Sequence, residues 1–272
     1  MKKTILITGC SSGIGYDTAH YLHNNGYKVY ASARDANDVK RLQDEGLETL
    51  LLDVTSADAI TQALNSIIKD GAELYAVFNN AGYGQPGAVE DITTDVLKEQ
   101  FETNFFGLHE LTRQVIKIMR RQGYGRIIQH SSVLGIISLR FRGAYNASKY
   151  AIESLCDTLR LELMETDIHV CTINTGPISS DFRKNAIKMF KKNVASKGSF
   201  FEREYNEELL TVKEKESDPF TKSSDVVIKN ILHALEAKKP QPRYYNTLAT
   251  HLLGGLKRIL TTSLLDKILR KI

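Results

Sequence analysis

The chain predicts an α/β fold, a doubly wound parallel sheet built as one domain. Three observations predict it. Short apolar or β-branched runs alternate with helical patterns along the 272 residues, as strands joined by crossover helices do. Those runs are apolar nearly throughout rather than at every second position, so both sheet faces must be covered. A glycine-rich turn, Thr8-Gly9-Cys10-Ser11-Ser12-Gly13-Ile14-Gly15, stands directly between the first strand and the first helix.

In order, Thr4-Ile5-Leu6-Ile7 reads as the first strand, and the following helix carries Ala19 and Leu22 and stops at Asn24-Asn25-Gly26. Val29-Tyr30-Ala31-Ser32, Leu50-Leu51-Leu52 and Tyr75-Ala76-Val77-Phe78 are strands two to four. One long helix is expected from Thr94 to Arg121, then a fifth strand at Arg126-Ile127-Ile128-Gln129-His130, a helix over Ala144–Glu165 and a sixth strand at Val170-Cys171-Thr172-Ile173. The stretch from Ser179 to Lys222 breaks the rhythm. It is charged, carries Phe182, Met189, Phe190, Phe200 and Phe201, and reads as a solvated helical excursion or as a mobile lid over a substrate. Val226, Val227, Ile228, Ile231, Leu232 and Leu235 mark one more amphipathic helix, and Arg243-Tyr244-Tyr245 a short last strand. Residues 1–246 then form the catalytic domain and 247–272 an amphipathic helical tail. In such a sheet a ligand lies beyond the carboxyl ends of the strands. Gly9, Arg34, Asp53, Asn80, Ser132 and Gly176 all fall just after strand ends.

Composition narrows the class. Cys10, Cys156 and Cys171 are scattered, which speaks against a disulfide framework or a zinc site. No metal is expected. The apolar run after Met1-Lys2-Lys3 is too short for a signal-peptide core, and no apolar stretch is long enough to span a bilayer. A cytoplasmic setting follows as the expectation. The net charge of +4 is modest and gives no reason to expect nucleic acid.

The chemistry concentrates in Tyr145-Asn146-Ala147-Ser148-Lys149, with Ser132 thirteen residues upstream of the tyrosine. On a helix, positions i and i+4 share a face, so a phenol and an ammonium stand side by side. A neighbouring cation favours the phenolate, and the pair reads as an acid/base acting on an oxygen, with Ser132 as a second hydrogen-bond donor. The same spacing also occurs on ordinary exposed helices. The glycine turn points backbone N–H groups and a helix N-terminus at a phosphate, although G-x-x-x-G-x-G also suits a turn that merely needs positive φ.

Together with Asn79-Asn80-Ala81-Gly82, these motifs resemble the classical short-chain dehydrogenase/reductase family over about residues 4–180. The resemblance implies a Rossmann-like fold and nicotinamide-dependent hydride transfer. It implies Asn104, Ser132, Tyr145 and Lys149 as catalytic residues. It further implies that Gly9, Ser11, Ser12, Gly13, Ile14, Gly15, Asp53, Val54, Asn80, Ala81, Gly82, Tyr145, Lys149, Pro177 and Ile178 border the cofactor. Within the family the chain resembles bacterial NADP-dependent aldehyde reductases related to retinol and 17β-hydroxysteroid dehydrogenases. Ser131-Ser132-Val133-Leu134-Gly135, Gly143-Ala144-Tyr145, Arg243-Tyr244 and the basic tail carry that likeness. An apolar aldehyde, ketone or alcohol is the implied substrate, and the family is commonly oligomeric. One departure is Thr175, which stands where the family has Pro before Gly176.

Arg34 immediately follows the second strand, where a guanidinium pairs with the 2′-phosphate of NADP and an acidic residue would select NAD. NADP(H) is therefore favoured over NAD(H). In the tail, Leu252, Leu253, Leu256, Ile259 and Leu260, then Leu264, Leu265, Ile268, Leu269 and Ile272, recur at helical spacing among Lys257, Arg258, Lys267, Arg270 and Lys271. Such a helix can lie on a membrane surface, on its own body or on a second subunit. Two rival classes are a non-catalytic dinucleotide-binding regulator and a membrane-surface-associated lipid, retinoid or steroid dehydrogenase. A sugar-nucleotide epimerase is disfavoured by the glycine spacing.

Overall fold

The computed structural model describes residues 2–210 and 221–271, with the side chains of Glu208 and Leu210 excepted. The expected lid span of 179–222 thus lies partly outside the described residues. Strands β1 (Thr4–Ile7), β2 (Lys28–Ala33), β3 (Glu48–Leu51), β4 (Leu74–Asn79), β5 (Tyr124–Ser132), β6 (Asp167–Thr175) and β7 (Arg243–Tyr245) form one sheet in the order β3-β2-β1-β4-β5-β6-β7. Every pair is parallel. The chain starts mid-sheet, winds to the β3 edge, returns to β4 and winds to the other edge. The crevice at that reversal, between β1 and β4, is where such sheets bind ligands.

Helices cover both faces. On one, α3 (Ala57–Lys69), α5 (Gly107–Gln122) and α6 (Gly143–Glu162) bury Leu64, Ile67, Leu111, Val115, Ile152 and Cys156. On the other, α1 (Gly13–Asn24), α2 (Ala36–Asp44) and Asp225–Glu236 bury Ala19, Leu22, Leu42, Ile231 and Leu235. This is the Rossmann-like architecture that the strand pattern predicts.

The single helix expected over 94–121 is instead α4 (Thr94–Phe101), a π-helical turn over Glu102–Phe106, and α5. Gly107 fixes the break from one side, since a Cβ there would stand 2.4 Å from the carbonyl oxygen of Val54. Phe101, Phe105 and Phe106 pack ring against ring around it. The wider turn carries Asn104 inward, where it is buried. Such π-bulges are commonly found at functional sites.

Beyond β6, α7 (Phe182–Asn193), a short turn α8 (Glu202–Glu204) and a π-helical stretch Tyr205–Leu210 build a small core of their own. Phe190, Val194, Tyr205 and Leu209 pack with Ala88 and Phe141, and the Tyr205 hydroxyl accepts from the Ala88 N–H at 2.8 Å. After α9 (Asp225–Glu236), the three-residue β7 is tied down by charge. Arg243 donates to Glu153 at 2.8 Å and to both oxygens of Asp157 at 2.7 Å. The chain ends in α10 (Leu248–Ile259) and α11 (Thr262–Leu269). Among the described residues, no helix is long and apolar enough to cross a membrane.

Candidate active site

All six residues expected after strand ends lie at the carboxyl edge of the parallel sheet. The glycine turn closes β1. Gly9 and Gly13 have φ of 71° and 59°, the left-handed region that favours glycine. The space beside Gly15 is taken by the turn itself rather than by the strand, since a Cβ there would lie 2.4 Å from both Gly9 O and Asn80 Nδ2. Asn80 Nδ2 donates to the carbonyls of Thr8 and Gly9, at 2.9 and 3.0 Å. The N–H groups of Asn80 and Ala81 donate to the Thr8 hydroxyl at 2.9 and 3.0 Å. Gly9 meets the same segment, because a Cβ on it would lie 2.8 Å from Ala81 Cα. Ser12 stands at the N-cap of α1 with its hydroxyl making no capping bond. The Ser11 carbonyl accepts from Arg41 of α2 at 2.7 Å, and Ile14 packs into the core beneath.

Arg34 follows β2 directly and is exposed. The carboxylate of neighbouring Asp35 is engaged elsewhere. It caps α2, accepting from the Asn37 N–H at 2.8 Å. Asp53 likewise accepts from the Thr55 N–H and hydroxyl, at 2.9 and 2.8 Å, and orders the loop after β3. Val54 is buried, with its carbonyl beneath Gly107.

At the β5 end, Ser132 accepts from the Leu134 N–H at 3.1 Å and donates to the Thr175 carbonyl at 3.4 Å. The nine-residue β5–β6 register, which pairs Ser132 with Thr175, creates that contact. Tyr145 and Lys149 lie one turn apart on α6, both buried. The Lys149 ammonium stands 5.5 Å from the centre of the Tyr145 ring and donates to the His130 carbonyl at 2.6 Å. Asn104 accepts from the Tyr83 N–H at 3.0 Å and donates to the Tyr83 carbonyl at 2.9 Å. It reaches the Tyr–Lys helix through the Ser148 hydroxyl at 3.2 Å. Gly82 lies against this amide, since a Cβ there would be 3.1 Å from Asn104 Oδ1. Past β6, the Pro177 carbonyl accepts from the Lys222 N–H at 3.1 Å, which holds Ile178 in a bridge beside Lys222. Phe182, from the first turn of α7, sets its ring 5.4 Å from that of Tyr145.

Burial pushes the Tyr145 phenol above its ordinary range, and the Ser132 hydroxyl draws it partly back. Burial brings Lys149 down to about 8, against the opposing pull of Glu153 one turn further on. Lys149 is the cation expected to favour the phenolate, and it stands one helical turn from Tyr145. Its ammonium is turned to the His130 carbonyl, and burial dominates both groups. The phenol is consequently a neutral acid with a proton to give.

The structure adds residues that carry no sequence signal of their own. Thr8 ties the glycine turn to the loop after β4, Ser148 ties α6 to Asn104, and Glu153 receives Asn174 Nδ2 at 2.6 Å as well as Arg243. His130 sits between Asn80 and Thr175. Thr8 and Ser148 could have been suspected from position, since they lie inside the glycine turn and the Tyr145–Lys149 run. Among the described residues, no His, Cys, Asp and Glu group is placed to hold a metal ion.

A parallel sheet with this glycine turn at its crevice and this Tyr–Lys pair beside it defines a class, the dinucleotide-using oxidoreductases. The chain belongs to the short chain dehydrogenase family, whose model matches residues 3–190. It is 38% identical over 272 residues to the uncharacterized oxidoreductase YbbO of Escherichia coli K12, covering 99% of this chain and 95% of that protein. It is 30% identical over 260 residues to human 17-beta-hydroxysteroid dehydrogenase type 1, covering 90% of this chain and 78% of that one. A short-chain dehydrogenase structure from Streptomyces avermitilis shares the fold with a TM-score of 0.76 at 23% identity, covering 98% of this chain and 93% of that one.

Proposed function

We propose that the chain is an NADP(H)-dependent oxidoreductase acting on an apolar aldehyde or ketone, or on the corresponding alcohol, with Tyr145 as general acid/base. The observation that carries this reading is the buried Tyr145 beside Lys149, with Ser132 near, at the carboxyl edge of the sheet. A dinucleotide fits the residues present. The positive-φ glycine turn leaves the α1 N-terminus and the Ser12 hydroxyl without an internal partner for a phosphate. Arg34, with Asp35 committed to its cap, supplies a cation where the adenosine ribose would lie. The cofactor's contribution is a hydride at the nicotinamide ring. Tyr145 then donates its proton to the oxygen that gains charge, and Ser132 donates a hydrogen bond to the same oxygen. Lys149 and Asn80 hold the nicotinamide-side ribose, and Asn104 braces the helix that carries the phenol. Asp53 and Val54 line the adenine end, and Pro177 and Ile178 the nicotinamide side. Phe182 against Tyr145, and the likeness to a hydroxysteroid dehydrogenase, support an apolar substrate. The test is NADPH and NADH oxidation with carbonyl compounds of rising chain length. kcat/KM should climb by up to about fourfold per methylene and be higher with NADPH. No turnover with any carbonyl or alcohol would favour the non-catalytic regulator instead.

The tail supports a second reading, peripheral contact of residues 247–272 with an anionic membrane surface, which would make this a cytoplasmic enzyme that meets its substrate there. Thr250 and Gly254 turn one face of α10 onto the body, while Leu248, Leu252 and Ile259 on the opposite face are 72%, 58% and 81% exposed. At 3.6 residues per turn those three fall within about 40° of arc. Leu264 and Ile268 of α11 are exposed as well. The tail holds five Lys or Arg against one Asp, so it carries the whole of the chain's +4 charge. A second copy of the same surface would meet like charge, whereas anionic lipid would not. Full-length protein should pellet with phosphatidylserine-containing vesicles and not with phosphatidylcholine alone, and the double variant Leu252→Asp, Ile259→Asp should stay in solution. Vesicle-independent dimers that this variant dissociates would instead place a second subunit on the face.

A further inference from the structure

We infer that His130 is a positioning residue that couples the two turns flanking the cofactor, through a directed hydrogen-bond chain running from Thr175 to Asn80 to the Thr8–Gly9 turn. The direction follows from the acceptors. Asn80 faces two carbonyls, of Thr8 and Gly9, at 2.9 and 3.0 Å, and both require its NH₂ group. Its Oδ1 must then be the atom that faces His130 Nδ1, at 2.8 Å. An amide oxygen only accepts, so Nδ1 carries the hydrogen. A neutral imidazole has one N–H, which leaves Nε2 as an acceptor. The Thr175 hydroxyl lies 3.2 Å from Nε2 and 3.3 Å from the Ser131 carbonyl, so its one hydrogen is shared between these two acceptors. Burial and the Lys149 ammonium keep the ring neutral, at about 3, which fits this arrangement.

The chain of bonds has a consequence for the site. Thr175 is the last residue of β6, directly before the Gly176–Pro177 turn. Gly9 opens the turn on the other side of the crevice. The His130 ring bonds to both through its partners, while its backbone carbonyl receives Lys149. Movement of one turn is thereby resisted by the other. The effect expected on ligand binding rests on the reading that a dinucleotide lies along this edge.

Two measurements on the full chain test it. Nitrogen-15 NMR of labelled histidine near neutral pH should show His130 as the Nδ1–H tautomer, and the Nε2–H tautomer would overturn the direction. Thr175→Val, which keeps the shape and deletes the hydroxyl, should weaken NADPH binding roughly fivefold to tenfold. It should leave kcat at saturating cofactor within about twofold of the unaltered protein, since the reacting groups are untouched. Thr175→Ser should restore the affinity. Equal affinity in the valine variant and the unaltered protein, or equal losses with valine and serine, would overturn the coupling. Should the valine variant fail to fold, the tautomer of the unaltered protein decides. Should the unaltered protein bind neither NADPH nor NADH, the functional reading fails, and the tautomer still tests the hydrogen-bond chain.

Discussion

Tyr145→Phe is expected to lower kcat/KM for carbonyl reduction by about 10³-fold or more, with the dissociation constant for NADPH within about twofold of its original value. The substitution deletes one hydroxyl and keeps the ring. That ring is buried, 5.4 Å from Phe182, and the phenylalanine retains both the volume and the contact. The helix beneath is held by other groups, with Ser148 donating to the Tyr145 carbonyl at 2.8 Å and Lys149 to the His130 carbonyl at 2.6 Å. Stability should therefore change little, and thermal unfolding of the variant checks that. The lost group is the protonated phenol, which burial holds above its ordinary pKa. It is charged neither before the reaction nor at neutral pH, so what disappears is a proton donor and not an ion. In the proposed mechanism Ser132 would remain as a donor to the substrate oxygen, so a small residual rate is expected. Steady-state rates with each cofactor saturating decide the matter. Full activity in the variant would remove Tyr145 from the chemistry.

Arg34→Ala is expected to reduce the preference for NADPH over NADH, as a ratio of kcat/KM values, by roughly 30-fold to 100-fold. The fall should come through KM for NADPH, because a contact at the adenosine end is the same in ground and transition states. Arg34 is exposed at the end of β2, and Asp35 beside it is already bonded at the α2 N-terminus. On the proposed reading the guanidinium would meet the 2′-phosphate while the Asp35 carboxylate stays bonded to the Asn37 N–H. NADH kinetics should be nearly unchanged, which separates loss of a phosphate contact from general damage. An unchanged ratio would mean that the 2′-phosphate is not met by Arg34.

The strands and the glycine turn were legible because their signals are local. Thr4–Ile7 followed by Gly9, Gly13 and Gly15 states a strand, a turn and a helix within twelve residues. Tyr145 and Lys149 were legible for the same reason, since a helical repeat alone puts them on one face. The acidity of the phenol was not. It depends on how deeply α6 packs, because burial pushes the phenol up and Lys149 down, and no spacing rule states burial. The π-helical turn at Glu102–Phe106 was hidden because its cause, the approach of Gly107 to the Val54 carbonyl, joins segments far apart in sequence. His130 was read only as part of a strand. Its partners Asn80 and Thr175 are 50 and 45 residues away, and no spacing rule connects them. The tail's apolar periodicity was plain, yet which face is covered became visible only with Thr250 and Gly254 against the body.

The most direct measurement is the fate of a deuterium placed at C4 of the reduced nicotinamide. With NADPH deuterated at both C4 positions and an apolar aldehyde that the enzyme turns over, the label should appear on the carbinol carbon of the alcohol, one atom per turnover, and the Tyr145→Phe variant should form almost none of this product. An alcohol formed at the normal rate without the label would contradict hydride transfer at this site.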